Sequence, residues 1–354
     1  GVKGGGWMRG LRKYLTPFAP DQSGAVSVLF ELGGIVVICD AGGCTGNVCG
    51  FDEPRWFEQK SAIFSAGLRD MDAILGRDDR LVAKLADVVQ KIDATFVAVI
   101  GTPVPAVIAT DYLALKRMSE KKIKLPILTV DTDGMELYDK GEEKAFLELF
   151  KIFAIEKYQA EEDRIGILGM TPQDVSDLDA ADKIRDLYQQ KYGKQAVCYC
   201  MGDGLEEIRE ASSVSRNIVV SPAALMTAKY LEKTFGTPYE IHYPLVDELI
   251  PDVDYTGKEV LIVHQQVIAN SIRKELLKKG AKRVQIASWF MMKKELLADG
   301  DVLLRDEDAY IELVQNGDFD IIFADGCMER MIPEFKGIFV DTRHFAVSGK
   351  LIGK

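Results

Sequence analysis

Histidine is scarce in this 354-residue chain: only His242, His264 and His344 occur, and they are scattered. No HxxxH or HExxH spacing exists, so the paired imidazoles that a zinc hydrolase presents from one helix face are missing. No GxGxxG fingerprint follows a strand-like run, and there is no GxxxxGK[ST] loop, so neither NAD nor ATP is expected to be held by those devices. No apolar run reaches the roughly 18 residues a membrane span needs. No signal-peptide pattern is visible either, and the opening GVKGGGW reads as a flexible leader. The chain is therefore expected to be cytoplasmic, with reduced thiols. Basic charge is in deficit, 44 Lys and Arg against 55 Asp and Glu, for a net charge of -11. That excess argues against a nucleic-acid binder or a ligand of anionic membranes, which need a basic face. It leaves room for a basic protein partner. Six cysteines are too few for a disulfide scaffold at this length.

What is present is a globular composition, 47% hydrophobic and 28% charged, which suits a substantial core. Length alone suggests two or three domains. Strand-like apolar runs alternate with amphipathic segments. Ile35–Ile38, Thr95–Ile100 and Leu125–Val130 read as buried strands. Each is followed by a glycine, proline or aspartate loop, and helices are expected over 79–92, 106–118 and 142–153. The stretch 57–75 reads as mostly helical. A second unit begins at Arg164–Leu168 and continues through a helix over 175–191 and strands at 195–200 and 217–220. A third begins at Glu259–Val263, with a helix over 269–279 and strands at 284–287, 321–324 and 338–340. This is an α/β chain of parallel sheets covered on both faces. The boundaries are placed at 1–158, 159–250 and 251–354. In such sheets ligands sit at the carboxyl ends of strands, and the loops after 38, 100 and 130 leave such ends, so they are placed to converge.

Chemistry concentrates between Gly33 and Trp56. The strand Ile35–Ile38 breaks into a stretch with Gly42, Gly43, Gly46 and Gly50, and with Cys39, Cys44 and Cys49 spaced C-x4-C-x4-C. That spacing matches neither a zinc ribbon nor a redox CxxC. Thiols on a glycine-rich loop at a strand end suit a soft metal centre. The glycines, Gly43 and Gly46 among them, let backbone amides approach cluster sulfurs closely. The plainer alternative is that buried cysteines act as small hydrophobes, and it is strongest for Cys39, which closes an apolar strand.

Five stretches carry a wider likeness. They are Ser23-Gly24-Ala25 before an apolar helix, Gly42-Gly43-Cys44 after a strand, Asp72 to Leu81, Phe96 to Asp111, and Gly202 to Leu225. Together they resemble the nitrogenase component 1 type oxidoreductases, whose relatives include protochlorophyllide reductase, chlorophyllide reductase and the reductive cyclase of coenzyme F430 biosynthesis. The resemblance implies three Rossmann-like domains and an iron–sulfur cluster bridging two subunits, with cysteines from three loops of each. Position by position, the second cysteine matches Cys44, the first falls at Asp21 and the third at Pro103. With two of the three replaced, a double cluster is disfavoured and a single [4Fe–4S] cluster is expected. Cys44 and Cys49 from two copies of the chain would supply its four thiolates. Variants of that set use Cys39 or the Asp21 carboxylate, although Asp21 also suits a helix cap.

The resemblance further implies a homodimer or pairing with a similar subunit. It implies electrons from an ATP-hydrolysing nitrogenase-reductase-like partner, a small-molecule substrate in a cleft between domains, and an anaerobic setting. Two alternatives remain open: a scaffold or carrier for metal clusters, and a cluster-free binder of a small molecule or tetrapyrrole.

Other chemistry-bearing residues are weaker. Cys198 and Cys200 are expected to alternate on a strand and face opposite sides, which fits core packing. Cys327 lies just past a strand end, as do His264 and His344, where a ligand cleft would be. Asp131 and Asp133 flank a turn and are expected to cap it. Trp56 and Trp289 read as core.

Overall fold

The computed structural model describes residues 13–39, 43–59, 61–65, 78–101 and 112–354. It divides into two compact units. The larger is Ala19–Ile241, and the smaller is His242–Lys354 with the segment ending at Phe18.

The larger unit holds two four-stranded sheets. Its first contains β1 (Ile35–Ile38), β2 (Ala62–Ser65), β3 (Val97–Ile100) and β4 (Ile127–Val130) in the order β2-β1-β3-β4, every pair parallel. The sequences IVVI and VAVI are unbroken apolar runs, and ILTV is broken only by the half-buried Thr129, because both faces are covered. Val36, Ile38, Ala98, Ile100, Leu128 and Val130 share a core with helix α1 (Asp21–Leu29) and with Phe146, Leu149 and Phe150. Ile35, Val37, Val97, Val99 and Ile127 point the other way, onto Leu81, Val82 and Leu85 of a helix over Asp78–Lys91. Because β1, β3 and β4 are parallel neighbours, the segments that follow them leave one edge of the sheet, as expected from the sequence.

The second sheet contains β5 (Glu161–Leu168), β6 (Gln195–Cys198), β7 (Val214–Val219) and β8 (Tyr239–Ile241), ordered β6-β5-β7-β8 and again parallel. The long helix Tyr138–Phe153 joins the two sheets' cores. Its Phe150 packs edge-on against Tyr199, with ring centroids 5.2 Å apart.

The smaller unit is one parallel sheet of β9 (Glu259–Val263), β10 (Arg283–Ser288), β11 (Val302–Leu303), β12 (Ile321–Ala324) and β13 (Ile338–Asp341), ordered β11-β10-β9-β12-β13. Among the described residues no helix is long and apolar enough to cross a membrane.

Several local expectations are corrected. Residues 62–65 form the edge strand β2 rather than helix, a half-exposed four-residue run whose pairing partner β1 is distant in sequence. The cysteine-bearing stretch is helical where a loop was expected. One turn over Gly43–Asn47 runs into a π-helical turn over Val48–Asp52, in which the Glu53 N–H donates to the Val48 carbonyl at 2.9 Å. Strand β6 stops at Cys198, and Cys200 sits in a left-handed turn (φ 67°). Cys198 and Cys200 therefore do not alternate on one strand, although both are buried. Helix formation over 175–191 is interrupted by Ser176, which is also left-handed (φ 61°).

Candidate functional site

The candidate site is built around α1. All nine of its residues are buried, and glycine is what allows this. A Cβ at Gly24 would lie 1.9 Å from the Tyr138 carbonyl oxygen, and one at Gly141 would lie 1.7 Å from that of Asp21. The two helices therefore touch backbone to backbone.

Asp21 opens α1 without capping it in the expected way. Its carboxylate accepts from the Gln22 N–H, but its two oxygens also take the Asp133 N–H (2.9 Å) and Gly134 N–H (2.8 Å) of the turn after β4. Burial raises its pKa from 3.8 to about 6, against the opposing pull of those two N–H donors. Asp133 caps its own turn, accepting from the Met135 and Glu136 N–H groups. Two residues along α1, the Ser23 hydroxyl donates to Asp52 at 2.6 Å, which ties the helix to the π-helical turn.

That turn carries Cys49, which is half-buried. Burial, then the nearby Glu53 charge, pushes its thiol above the ordinary range. Gly46 and Gly50 on either side have no described atom within 4 Å of a would-be Cβ, and neither adopts a positive φ. Nothing described within the chain requires glycine there, although glycine in a helix costs about 1 kcal/mol relative to alanine. A π-helical turn is itself uncommon and concentrates at functional sites.

The other sequence-derived candidates are placed as follows. Gly43 begins the helical turn, but the Cys44 side chain and Pro103 lie outside the described residues, as do 66–77 and 102–111. Cys39 closes β1 on the face that packs against helix 78–91, opposite α1, and is buried. Thus Asp21 and the Cys49 turn are linked through α1, and Cys39 belongs to another core. Among the described residues no group of three or more His, Cys, Asp or Glu is arranged to hold a metal ion.

Reading the sequence missed the polar brace behind this turn. Arg55 is fully buried, and Glu53 grips it in a fork at 2.7 and 2.9 Å. It also donates to the Ser27 carbonyl at 2.8 Å and lies over the Phe30 ring at 4.7 Å. Burial alone would lower its pKa; Glu53 and Glu31 outweigh that and hold it charged. Gln173, from the short helical turn Pro172–Val175 after β5, donates to the Asp52 carbonyl at 2.6 Å and the Ser27 hydroxyl at 3.2 Å. Deeper still, Glu142 accepts from the Thr171 hydroxyl at 2.7 Å, its second oxygen has no described partner, and burial with the Asp174 charge raises its pKa well above the usual range. The Tyr138 hydroxyl donates to Asp174. The one local signal was the FDEPRW stretch, whose charges sit in an apolar context.

Residues 21–247 match the family model described as Nitrogenase component 1 type Oxidoreductase. The chain belongs to that family. Its curated relatives include the nitrogenase iron-molybdenum cofactor biosynthesis protein NifE of Clostridium pasteurianum, 29% identical over 181 residues. The same protein from Bradyrhizobium diazoefficiens is 22% identical over 185 residues. Each match covers 50% of this chain but only 38% and 32% of the relative's own length. The solved structures of nitrogenase Cp1 at pH 6.5 and pH 5 share the fold, with TM-scores of 0.71 and 0.68. Each covers 94% of this chain and 87% or 84% of theirs, at 12% and 15% identity. The α/β architecture expected from the sequence is thus the nitrogenase component 1 fold, and the family resemblance holds.

Proposed function

We propose that this chain is the cluster-holding component of a nitrogenase-like system. Two copies meet across the surface carrying Cys49, and Cys44 and Cys49 of each hold one shared [4Fe–4S] cluster. The observation that carries this reading is the π-helical turn with Cys49 between two glycines that nothing described in the chain requires. A second copy, or cluster sulfide, is what such bare backbone admits.

Exposed apolar side chains support the same surface. Phe51 is 77% exposed and Met135 is 83% exposed. Phe51 adjoins Asp52, which is bonded to α1 through Ser23, and Met135 adjoins Gly134, which is bonded to α1 through Asp21. Burying one such side chain in a partner contributes about 1.5–3 kcal/mol.

When bound, the cluster supplies one-electron storage at low potential. The rest falls to the chain's own groups. Cys44 and Cys49 would hold it as thiolates, and burial with the Glu53 charge, which pushes the Cys49 thiol above its ordinary range, would oppose that form until metal is bound. Glu53 and Arg55 brace the turn, and Asp21 fixes the neighbouring 133–134 turn. In this reading the electron donor is an ATP-hydrolysing iron protein, and the acceptor is a small molecule of unassigned identity.

A second reading is a carrier in metal-cluster assembly. It is favoured by the two curated relatives, both named for iron-molybdenum cofactor biosynthesis. Anaerobic reconstitution followed by mixing with a nitrogenase-type iron protein, ATP and dithionite separates the two. ATP-dependent appearance of a reduced-cluster EPR signal supports the electron-accepting role. Transfer of iron and sulfide to an apo-acceptor without such reduction supports the carrier. A chain that binds no iron after reconstitution overturns both and leaves a cluster-free binding protein.

A further inference from the structure

The smaller unit contains a cavity of about 500 Å³ whose lining includes Thr16, Cys327, Arg330, Asp341, Arg343 and Lys350. It opens where β12 and β13 end, and in open parallel sheets the carboxyl edge is where ligands bind. Its volume lies within the range of small-molecule sites.

The walls are fixed by two carboxylates that face inward to the backbone. Asp325, fully buried beneath the cavity, accepts from the Cys327 N–H (3.0 Å), the His344 N–H (2.9 Å) and the Ser348 hydroxyl (2.6 Å). Burial would raise its pKa; those three donors outweigh it and keep the group ionised. Asp341 accepts from the Gly326 N–H at 2.7 Å and meets Arg343 at 3.1 Å. These contacts join the loop after β12 to the loop after β13, so the cavity is held open before any ligand arrives.

Charge is not balanced within it. Three cations line the cavity against one lining carboxylate. Arg330 donates to the Tyr14 carbonyl. Among the described residues, no carboxylate lies within ion-pair distance of Arg330 or Lys350. With the ionised Asp325 beneath the cavity counted as well, the three cations still outnumber the two carboxylates. The Cys327 thiol, pushed up to about 12 by burial and by Asp325, adds no negative charge near neutral pH.

We propose that this cavity binds a small dianionic metabolite, with carboxylate or phosphate groups held by Arg330 and Lys350 and oriented by the Arg343–Asp341 pair. Arg forks suit planar carboxylate and phosphate oxygens, and Lys acts as a point charge. The site is independent of the cluster reading, so iron-free chain tests it.

The test is isothermal titration calorimetry of the full chain at constant ionic strength with inorganic phosphate, succinate and acetate. Saturable binding of phosphate or succinate, at least tenfold tighter than acetate, is expected, and the better of the two identifies the ligand's acidic group. Arg330→Gln and Lys350→Gln should each weaken it at least tenfold. Both side chains are exposed, so the far-ultraviolet CD spectrum should not change. Lys282→Gln, on an exposed strand end, should leave binding unaltered. Equal binding of acetate and the dianions, no saturable binding of either dianion, or dianion affinity untouched by both variants would overturn the proposal.

Discussion

A single methyl group added at Gly24 or Gly141 is expected to cost more than almost any other small substitution in the larger unit. On an isolated helix either change to alanine would help by about 1 kcal/mol. Here the sign reverses. The added Cβ would stand 1.9 Å from the Tyr138 carbonyl oxygen at position 24, and 1.7 Å from the Asp21 carbonyl oxygen at position 141. Both obstacles are main chain, so no side chain can rotate away. The two helices must move apart by roughly 1.5 Å to restore ordinary contact, and a gap of 0.5–1 Å already forfeits a quarter to a half of each van der Waals well. Every residue of α1 is buried and shares that loss. Ordinary overpacking costs about 1–3 kcal/mol; with backbone against backbone the expected loss is about 3–5 kcal/mol. Asp21 and Ser23 ride on the displaced helix, so their bonds to the 133–134 turn and to Asp52 should fail as well. Guanidinium unfolding of each variant, followed by CD, measures the effect as a lowered midpoint at constant slope. A loss below about 1 kcal/mol for both variants would refute the close crossing, since single substitutions away from such features commonly cost that little.

Other outcomes follow from the same geometry. Arg55→Met strands the buried Glu53 carboxylate and should cost about 3–5 kcal/mol, whereas adding Glu53→Gln should recover part of that loss, as read by the same unfolding assay. Glu142 has a folded pKa raised above its unfolded value of about 4.3. Its contribution is therefore fully present below that value and lost as pH rises through the raised pKa. Asp21 behaves alike between 3.8 and about 6. Glu142→Gln and Asp21→Asn should each flatten the decline in stability on the alkaline side of pH 4, measured as melting temperature against pH; an unchanged slope in both would contradict the burial argument. Phe51→Asp should weaken self-association at least tenfold in sedimentation equilibrium with no change in CD, because the side chain is exposed in the single chain.

The sheets were legible because IVVI, VAVI, EVLIV and IIFA are buried on both faces, and continuous apolar runs have few other uses in a chain of this composition. The half-exposed edge strand Ala62–Ser65 was not, since what distinguishes it is hydrogen bonding to β1. The cysteine spacing marked the right stretch, but glycine-rich composition pointed to a loop. The π-helical turn is held by bonds from Ser23 and Gln173, which are distant in sequence. Asp21 stood out as a cap or ligand; its carboxylate accepts from a turn 112 residues away, a partner no local pattern specifies. Arg55 and Glu53 could be seen as charges, yet their burial depends on Ser27, Phe30 and Cys200 closing over them.

The most direct test of the central claim is the iron and acid-labile sulfide content of the anaerobically reconstituted chain, measured alongside its mass in solution. The expected result is about four irons and four sulfides per two chains, lost in both Cys44→Ala and Cys49→Ala while the CD spectrum is retained. Full iron content in either variant, or none in the unaltered protein, would contradict it.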